Sequence, residues 1–322
     1  MNSGIIFLDK PLGWTSRRAV NEIVRLFSSS LSGSRSGSRS ARVKAGHAGT
    51  LDPLATGMLP ILIGEATRFA DFGLGASKTY QFTFDLSYQT DTLDCEGEVL
   101  CRFEGMDFLD QQQVRDVIHA FAGPMEQIPP AYSAIRLDGK RSHELARKGQ
   151  SPQLAARPVN IETIRIDAVQ LPSVTLTVTC SKGTYIRSLA RDIADQLHGG
   201  GCVTMLRRLS MGDWPESLMV DFETLSDQPH NFTMPMTQWL RGFAQCELDD
   251  SGARRFVQGQ RIPLRLSLSG DGYAEGDLVQ VIFRQTLLGL ALVRAGTKAL
   301  VLQPEKVLPS AQQALKNVTG EK

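Results

Sequence analysis

The run from Ala45 to Arg68, AGHAGTLDPLATGMLPILIGEATR, is the most informative stretch of this chain. It places glycines at 46, 49, 57 and 64 and prolines at 53 and 60 around Asp52. Pro53 biases Asp52 toward an extended backbone. Proline also suits the first position of a helix, so these local signals predict a helix opened by Pro53 with Asp52 as its N-cap. A carboxylate at such a position is held in its charged form, as an attacking nucleophile requires. Capping and nucleophilic roles are compatible, and the local pattern leaves both open. His47 reads as a structural or capping histidine or as a base. The run lacks the GxxxxGK[ST] of a phosphate loop, and the chain has no GxSxG of a serine hydrolase. A glycosidase would need a paired acid, and the nearest acids in sequence are Glu22 and Glu65.

Working outward, Ser16 to Leu26 has helical spacing of Val20, Ile23, Val24 and Phe27, with Ser16 able to cap it. Ser28 to Arg42 holds eight Ser, three Arg and two Gly in fifteen residues. Such a stretch buries too little apolar surface to offset its ordering entropy, which predicts a flexible basic loop over 28–42. Lys78 to Ser87 alternates as a strand, Leu109 to Phe121 as a helix, and Val159 to Leu171 and Val174 to Cys180 as two strands. Tyr185 to Leu197 reads as a helix. Asp213 to Asp250, acidic and proline-bearing, reads as a linker. Beyond it, strand-like runs between glycine turns predict a small β-barrel. The fold class expected is α+β.

The chain has 322 residues, 42% of them hydrophobic and 21% charged, which excludes a disordered or fibrous protein. Its apolar runs are too short to span a bilayer, and its N-terminus lacks the basic start of a secretory signal. Five cysteines without a CxxC pair predict reduced thiols, no metal and a cytoplasmic location, with no membrane partner. The formal charge of +1 conceals segregation: residues 1–50 hold eight bases and two acids, whereas residues 71–126 hold three bases and eleven acids. Segregated blocks suggest one basic and one acidic face, and a basic face is the usual footprint of a polyanion such as nucleic acid.

GHAGTLDPLATGMLPILIGEATRF closely resembles the catalytic motif of the bacterial tRNA pseudouridine synthases acting on the T-loop uridine, the TruB family. LDKPLGWTS (8–16), KTYQFTFDLSYQTDTLDCEGEV (78–99), QIPPAYSAIRLDGKRSHELARKG (127–149), CSKGTYIRSLARDIA (180–194) and MLRRLSMG (205–212) match further family blocks in order. The resemblance implies a mixed-sheet pseudouridine synthase domain over 1–240 and a PUA-like RNA-binding β-barrel over 246–310. It implies that Asp52 is the catalytic nucleophile, attacking at the sugar C1′ or by a glycal route, on a uridine flipped out of the tRNA T arm. Tyr80 would stack on the target base, Arg187 would orient Asp52, Tyr185 and Leu206 would line the uracil pocket, and His47 would contact the RNA. Isomerisation needs no redox step or energy input, so no cofactor is expected, nor an obligate protein partner; the chain would act as a monomer. The rival reading is a tRNA-binding or folding module of the same fold without catalysis. Arg68 stands where the family often has Lys.

Overall fold

The computed structural model describes residues 3–32, 43–264 and 272–319, apart from the single positions 134, 138, 151 and 298. Among the described residues, eight strands form one mixed sheet in the order β1-β3-β12-β4-β11-β10-β7, with β2 also paired to β3. These are β1 (Gly4–Lys10), β2 (Ala45–His47), β3 (Ala55–Ile63), β4 (Lys78–Asp85), β7 (Gly123–Gln127), β10 (Arg157–Gln170), β11 (Ser173–Cys180) and β12 (Cys202–Met211). The hairpin of β5 (Tyr88–Thr90) and β6 (Val99–Arg102), and that of β8 (Arg136–Leu137) and β9 (Lys140–Arg141), form separate two-stranded ladders. The α+β pseudouridine-synthase-like expectation of a mixed sheet is met: β3 runs antiparallel to β1 and parallel to β12.

Period-two alternation divides the sheet's residues between two cores. Ile6 and Leu8, Leu59 and Ile61, and Phe82 and Phe84 face the first core. There they pack against α1 (Ser16–Ser32), α3 (Gln111–His119) and α5 (Ile186–Gln196), through residues such as Ile23, Val114 and Leu189. Ile5, Phe7, Met58 and Leu62 face the second core. That core is completed by Phe69, the last residue of a 3₁₀ turn (Gly64–Phe69) before α2 (Ala70–Leu74), and by the C-terminal part of the chain. A short helix, α4 (Ser142–Ala146), follows β9.

Three sequence expectations change here. No helix follows Pro53: Asp52 and Pro53 form a turn, closed by the Ala55 amide donating to the Asp52 carbonyl at 3.1 Å, and β3 begins at once. An apolar run buried on both faces is the signature of a central strand. Here β1, β12 and β2 satisfy its backbone, so tertiary pairing overrides the local helix signal. Asp52 is therefore not a helix cap. Second, α1 continues to Ser32, because an established helix gains a bond per added residue without a new nucleus. The rest of the stretch read as a basic loop, 33–42, lies outside the described residues.

Third, residues 213–250 are packed, not a linker. Val220 bonds Phe7 and Asp9, and Met234 bonds Ile5 in both directions, closing the free edge of β1. Trp214 and Trp239 stack with centroids 6.0 Å apart in the second core. The acids of this segment sit on its outer side, including in α6 (Phe222–Asp227), while α7 (Met236–Trp239) turns Trp239 inward. Where a small barrel is expected, the described C-terminal strands form a five-stranded sheet. Its order is β13 (Gln245–Glu247), β15 (Leu278–Phe283), β16 (Thr286–Ala295), β17 (Leu300–Val307) and β14 (Ile262–Pro263). It is flanked by α8 (Asp250–Val257) and α9 (Pro309–Thr319). Among the described residues, no helix is long and apolar enough to cross a membrane.

Gly57 shows how tightly β3 is seated. It adopts φ +92°, and a Cβ there would lie 2.2 Å from the Arg208 carbonyl oxygen of β12. Backbone cannot retreat as a flexible side chain can, so Gly57→Ala should cost about 3 kcal/mol or more. The loss is to be read from denaturant unfolding.

Candidate active site

The turn bearing Asp52 is clamped from both sides by groups remote in sequence. The Ser16 hydroxyl, buried at the start of α1, donates to the Leu51 carbonyl at 2.9 Å and accepts from the Leu51 amide at 2.8 Å. On the other side, the Gly13 amide donates to the Pro53 carbonyl at 2.9 Å. Lys10, at 0% exposure, directs its ammonium to the carbonyls of Trp14 at 2.6 Å, Pro11 at 2.9 Å and Pro53 at 3.4 Å. The peptides on either side of Asp52 are thus fixed, while its carboxylate remains partly exposed.

That carboxylate meets Arg187, second residue of α5, at 2.8 Å. Arg187 is 6% exposed, against 39% for Asp52. Its guanidinium also donates to the Thr92 carbonyl at 2.7 Å and the Tyr132 carbonyl at 3.0 Å, and lies 3.6 Å from the Asp94 carboxylate. Asp94 is itself tied down by the Thr92 hydroxyl at 2.6 Å and the Glu96 amide at 3.2 Å. A buried guanidinium needs most of its donors engaged, and these partners leave one edge of it for Asp52.

Tyr185, at the N-cap of α5, is held through its backbone by Gln127: its amide donates to Oε1 at 2.8 Å, and its carbonyl accepts from Nε2 at 3.2 Å. Leu206 of β12 pairs with Ala55, three residues past Asp52, and with Phe82. Tyr80 of β4 lies opposite Arg208 of β12. Burial pushes the Tyr80 phenol above its ordinary pKa, opposed by the charge of Arg208 and a hydrogen bond with it, while the negative charge of Asp52 adds to the rise. Burial likewise raises the Tyr185 phenol. Arg187 therefore pairs with Asp52, the charge of Asp52 reaches both the Tyr80 and Tyr185 phenols, and Leu206 sits beside the strand that Asp52 precedes. His47 ends β2, where burial first and then the charges of Arg208 and Arg17 lower its pKa.

Several residues at this site carried no local signal. Arg208 is 1% exposed and donates to the carbonyls of Met58 at 2.6 Å and Gly49 at 3.2 Å, binding β12 to β3 and to the loop before Asp52. Lys78 donates to the carbonyls of Leu74 at 2.9 Å and Ala76. Burial, with Arg208 adding to it, lowers both Lys10 and Lys78 to about 8. The signal that could have found Lys10 is alternation: Ile6, Leu8 and Lys10 share one face of β1, and that face is buried. Asp94 could have been found from the TDTLD turn only by knowing that it folds back onto α5.

Two outcomes follow from this arrangement. Ser16→Ala removes both bonds to Leu51 and leaves buried backbone groups unsatisfied, so it should destabilise the fold by about 1–3 kcal/mol in a chemical melt. His47, with a folded pKa below its unfolded 6.5, takes up its proton later than the unfolded chain does. Its contribution is present above pH 6.5 and is lost as pH falls through the folded value. An NMR titration should place the imidazole midpoint below 6.5, with Arg17→Gln moving it upward.

Comparison with known proteins fits this geometry. A family model described as "TruB family pseudouridylate synthase (N terminal domain)" matches residues 38–186. A second, "tRNA pseudouridylate synthase B C-terminal domain", matches residues 187–243. The "tRNA pseudouridine synthase B" of Ralstonia pickettii is 39% identical over 317 residues, covering 95% of this chain and 94% of its own. That of Burkholderia lata is 39% identical over 318 residues, covering 96% and 91%. The solved structure of a Cbf5-Nop10-Gar1 complex shares the fold, with a TM-score of 0.67 at 24% identity over 94% of this chain and 84% of that one. The chain belongs to the TruB family of pseudouridylate synthases.

Proposed function

We propose that this chain isomerises the T-loop uridine, position 55, of tRNA to pseudouridine in the cytoplasm, with Asp52 as nucleophile. The observation that carries the reading is a half-exposed carboxylate held 2.8 Å from an almost fully buried guanidinium. That geometry aims the Asp52 carboxylate while leaving a face of it open to substrate. The uridine must leave its stack to reach it. Cleavage of the N1–C1′ bond frees the uracil, which turns and rejoins C1′ through C5; the C5 proton departs and N1 gains one, so atoms and charge balance. Tyr80 stacks on the base and takes part in handling the C5 proton, which passes on to solvent. Tyr185 and Leu206 hold the uracil during its turn.

His47 contacts the displaced RNA in this reading, which is supported by its buried Nδ1 having no hydrogen-bond partner among the described residues. Residues 1–240 form the catalytic domain in this reading, and 246–310 a PUA-like unit that grips RNA. Support for the grip comes from Arg261 and Arg294, exposed beside β14 and on β16, whose neighbours Ile262 and Val293 point inward on either side of Leu302. The catalytic route needs no cofactor, and the chain works as a monomer.

Tritium release from a tRNA transcript labelled at C5 of uridine tests the proposal. Wild type should release label from one T-loop position. Asp52→Asn should lower release by at least about 10³-fold, while tRNA affinity, dominated by phosphate contacts, changes little. Binding without release by wild type would make the chain a tRNA-binding module and overturn the catalytic reading.

A further inference from the structure

The strand that follows Asp52 ends in a second clamp, which the chemistry does not use. β3 is nine residues long and paired on both edges, which makes it a stiff rod of roughly 30 Å. At its far end Glu65, thirteen residues past Asp52, faces the first turn of α9. Its carboxylate accepts from the Ser310 amide at 2.8 Å and the Ser310 hydroxyl at 2.5 Å. Nearby, Lys306 of β17 donates to the Arg68 carbonyl at 2.6 Å. Its ammonium lies 3.9 Å from the Asp71 carboxylate and 5.2 Å from the Phe72 ring centroid.

Apolar burial already attaches the two parts: Ala66 and Phe69 share the second core with Val281, Leu290 and Leu308. Burial is non-directional, however, and a greasy contact alone permits sliding and rotation. Hydrogen bonds of fixed geometry do not. A carboxylate on the first turn of an eleven-residue helix, next to a lysine bonded to a backbone carbonyl, defines both the position and the rotation of the C-terminal sheet.

We propose that Glu65 and Lys306 are positioning residues: they lock the C-terminal sheet onto the 3₁₀ turn that ends β3, the strand Asp52 precedes. RNA gripped by the sheet is then held at a fixed distance from the reacting carboxylate. The second half of this inference rests on the reading of residues 246–310 as an RNA-gripping unit. The lock acts as a ruler for substrates long enough to span both parts. A hairpin comprising the T arm alone reaches Asp52 without reaching the sheet, so the ruler does not affect it.

Two measurements decide the matter. In a Cys95→Ser, Cys101→Ser background, spin labels at Glu162→Cys on β10 and Thr286→Cys on β16 report the distance between the parts; both positions are exposed. Glu65→Ala and Lys306→Ala should broaden that distance distribution relative to wild type, and Lys306→Arg should restore it. An unchanged distribution in both alanine variants overturns the lock, whatever the enzyme's substrate. In steady-state isomerisation, Glu65→Ala should raise KM for full-length tRNA about fivefold at unchanged kcat, the size of a lost helix cap. It should leave kcat/KM on the T-arm hairpin within about twofold. Equal losses on both substrates, with a lowered melting temperature, would mark Glu65 as merely structural and overturn the ruler. Wild type that handles tRNA and hairpin equally would remove the RNA grip of residues 246–310, and the ruler with it, while the spin-label result still decides the lock.

Discussion

Burial of the Arg187 guanidinium is the constraint on which the site depends. A guanidinium cannot shed its charge, and removing it from water costs several kcal/mol unless its donors are met. The chain meets them with three segments far apart in sequence: the TDTLD turn supplies Thr92 and Asp94, the loop after β7 supplies the Tyr132 carbonyl, and the β3 turn supplies Asp52. Arg187 is carried by α5, which Gln127 fixes at its first turn. Assembling this charge network therefore assembles the pocket. Of the partners, Asp52 is the one left partly exposed, so the same network that solves a folding problem leaves one carboxylate open to solvent.

A second constraint comes from burying Lys10, Lys78 and Arg208 close to one another. Their side chains are spent on backbone carbonyls, and burial lowers the two lysines toward 8. Most of those carbonyls belong to loops or element ends, Pro53 and Trp14 for Lys10, Leu74 for Lys78 and Gly49 for Arg208, whose other partner, Met58, lies within β3. The cations serve as internal rivets.

Regular elements were legible wherever alternation or helical spacing ran for several residues, as in Lys78–Asp85, Ser173–Cys180 and Ile186–Gln196. The six ordered motifs made the family legible too. What failed was reading local signals as if they were decisive. Pro53 after Asp52 has the chemistry of a helix start, yet the next nine residues are needed between β1 and β12, and pairing outweighs propensity. Asp213–Asp250 has a linker's composition because its outer side is acidic; its buried side, Trp214, Val220, Leu225 and Trp239, is spread too thinly through the sequence to show a period. Ser16 could be recognised as a residue able to start a helix, but its bonds to Leu51 span thirty-five positions, and no local pattern encodes them.

The two cores explain why the chain's halves depend on one another. Leu59 and Ile61 of β3 point into the core beneath the active site, while Met58 and Leu62 of the same strand point into the core shared with the C-terminal sheet. A strand buried on both faces has no solvent side on which an error of register could be accommodated, because a slip of one residue would exchange the two faces entirely. The register that seats Gly57 against Arg208 is therefore enforced from both cores at once. Since Asp52 immediately precedes this strand, its position inherits that certainty, and packing far from the pocket becomes part of how the carboxylate is aimed.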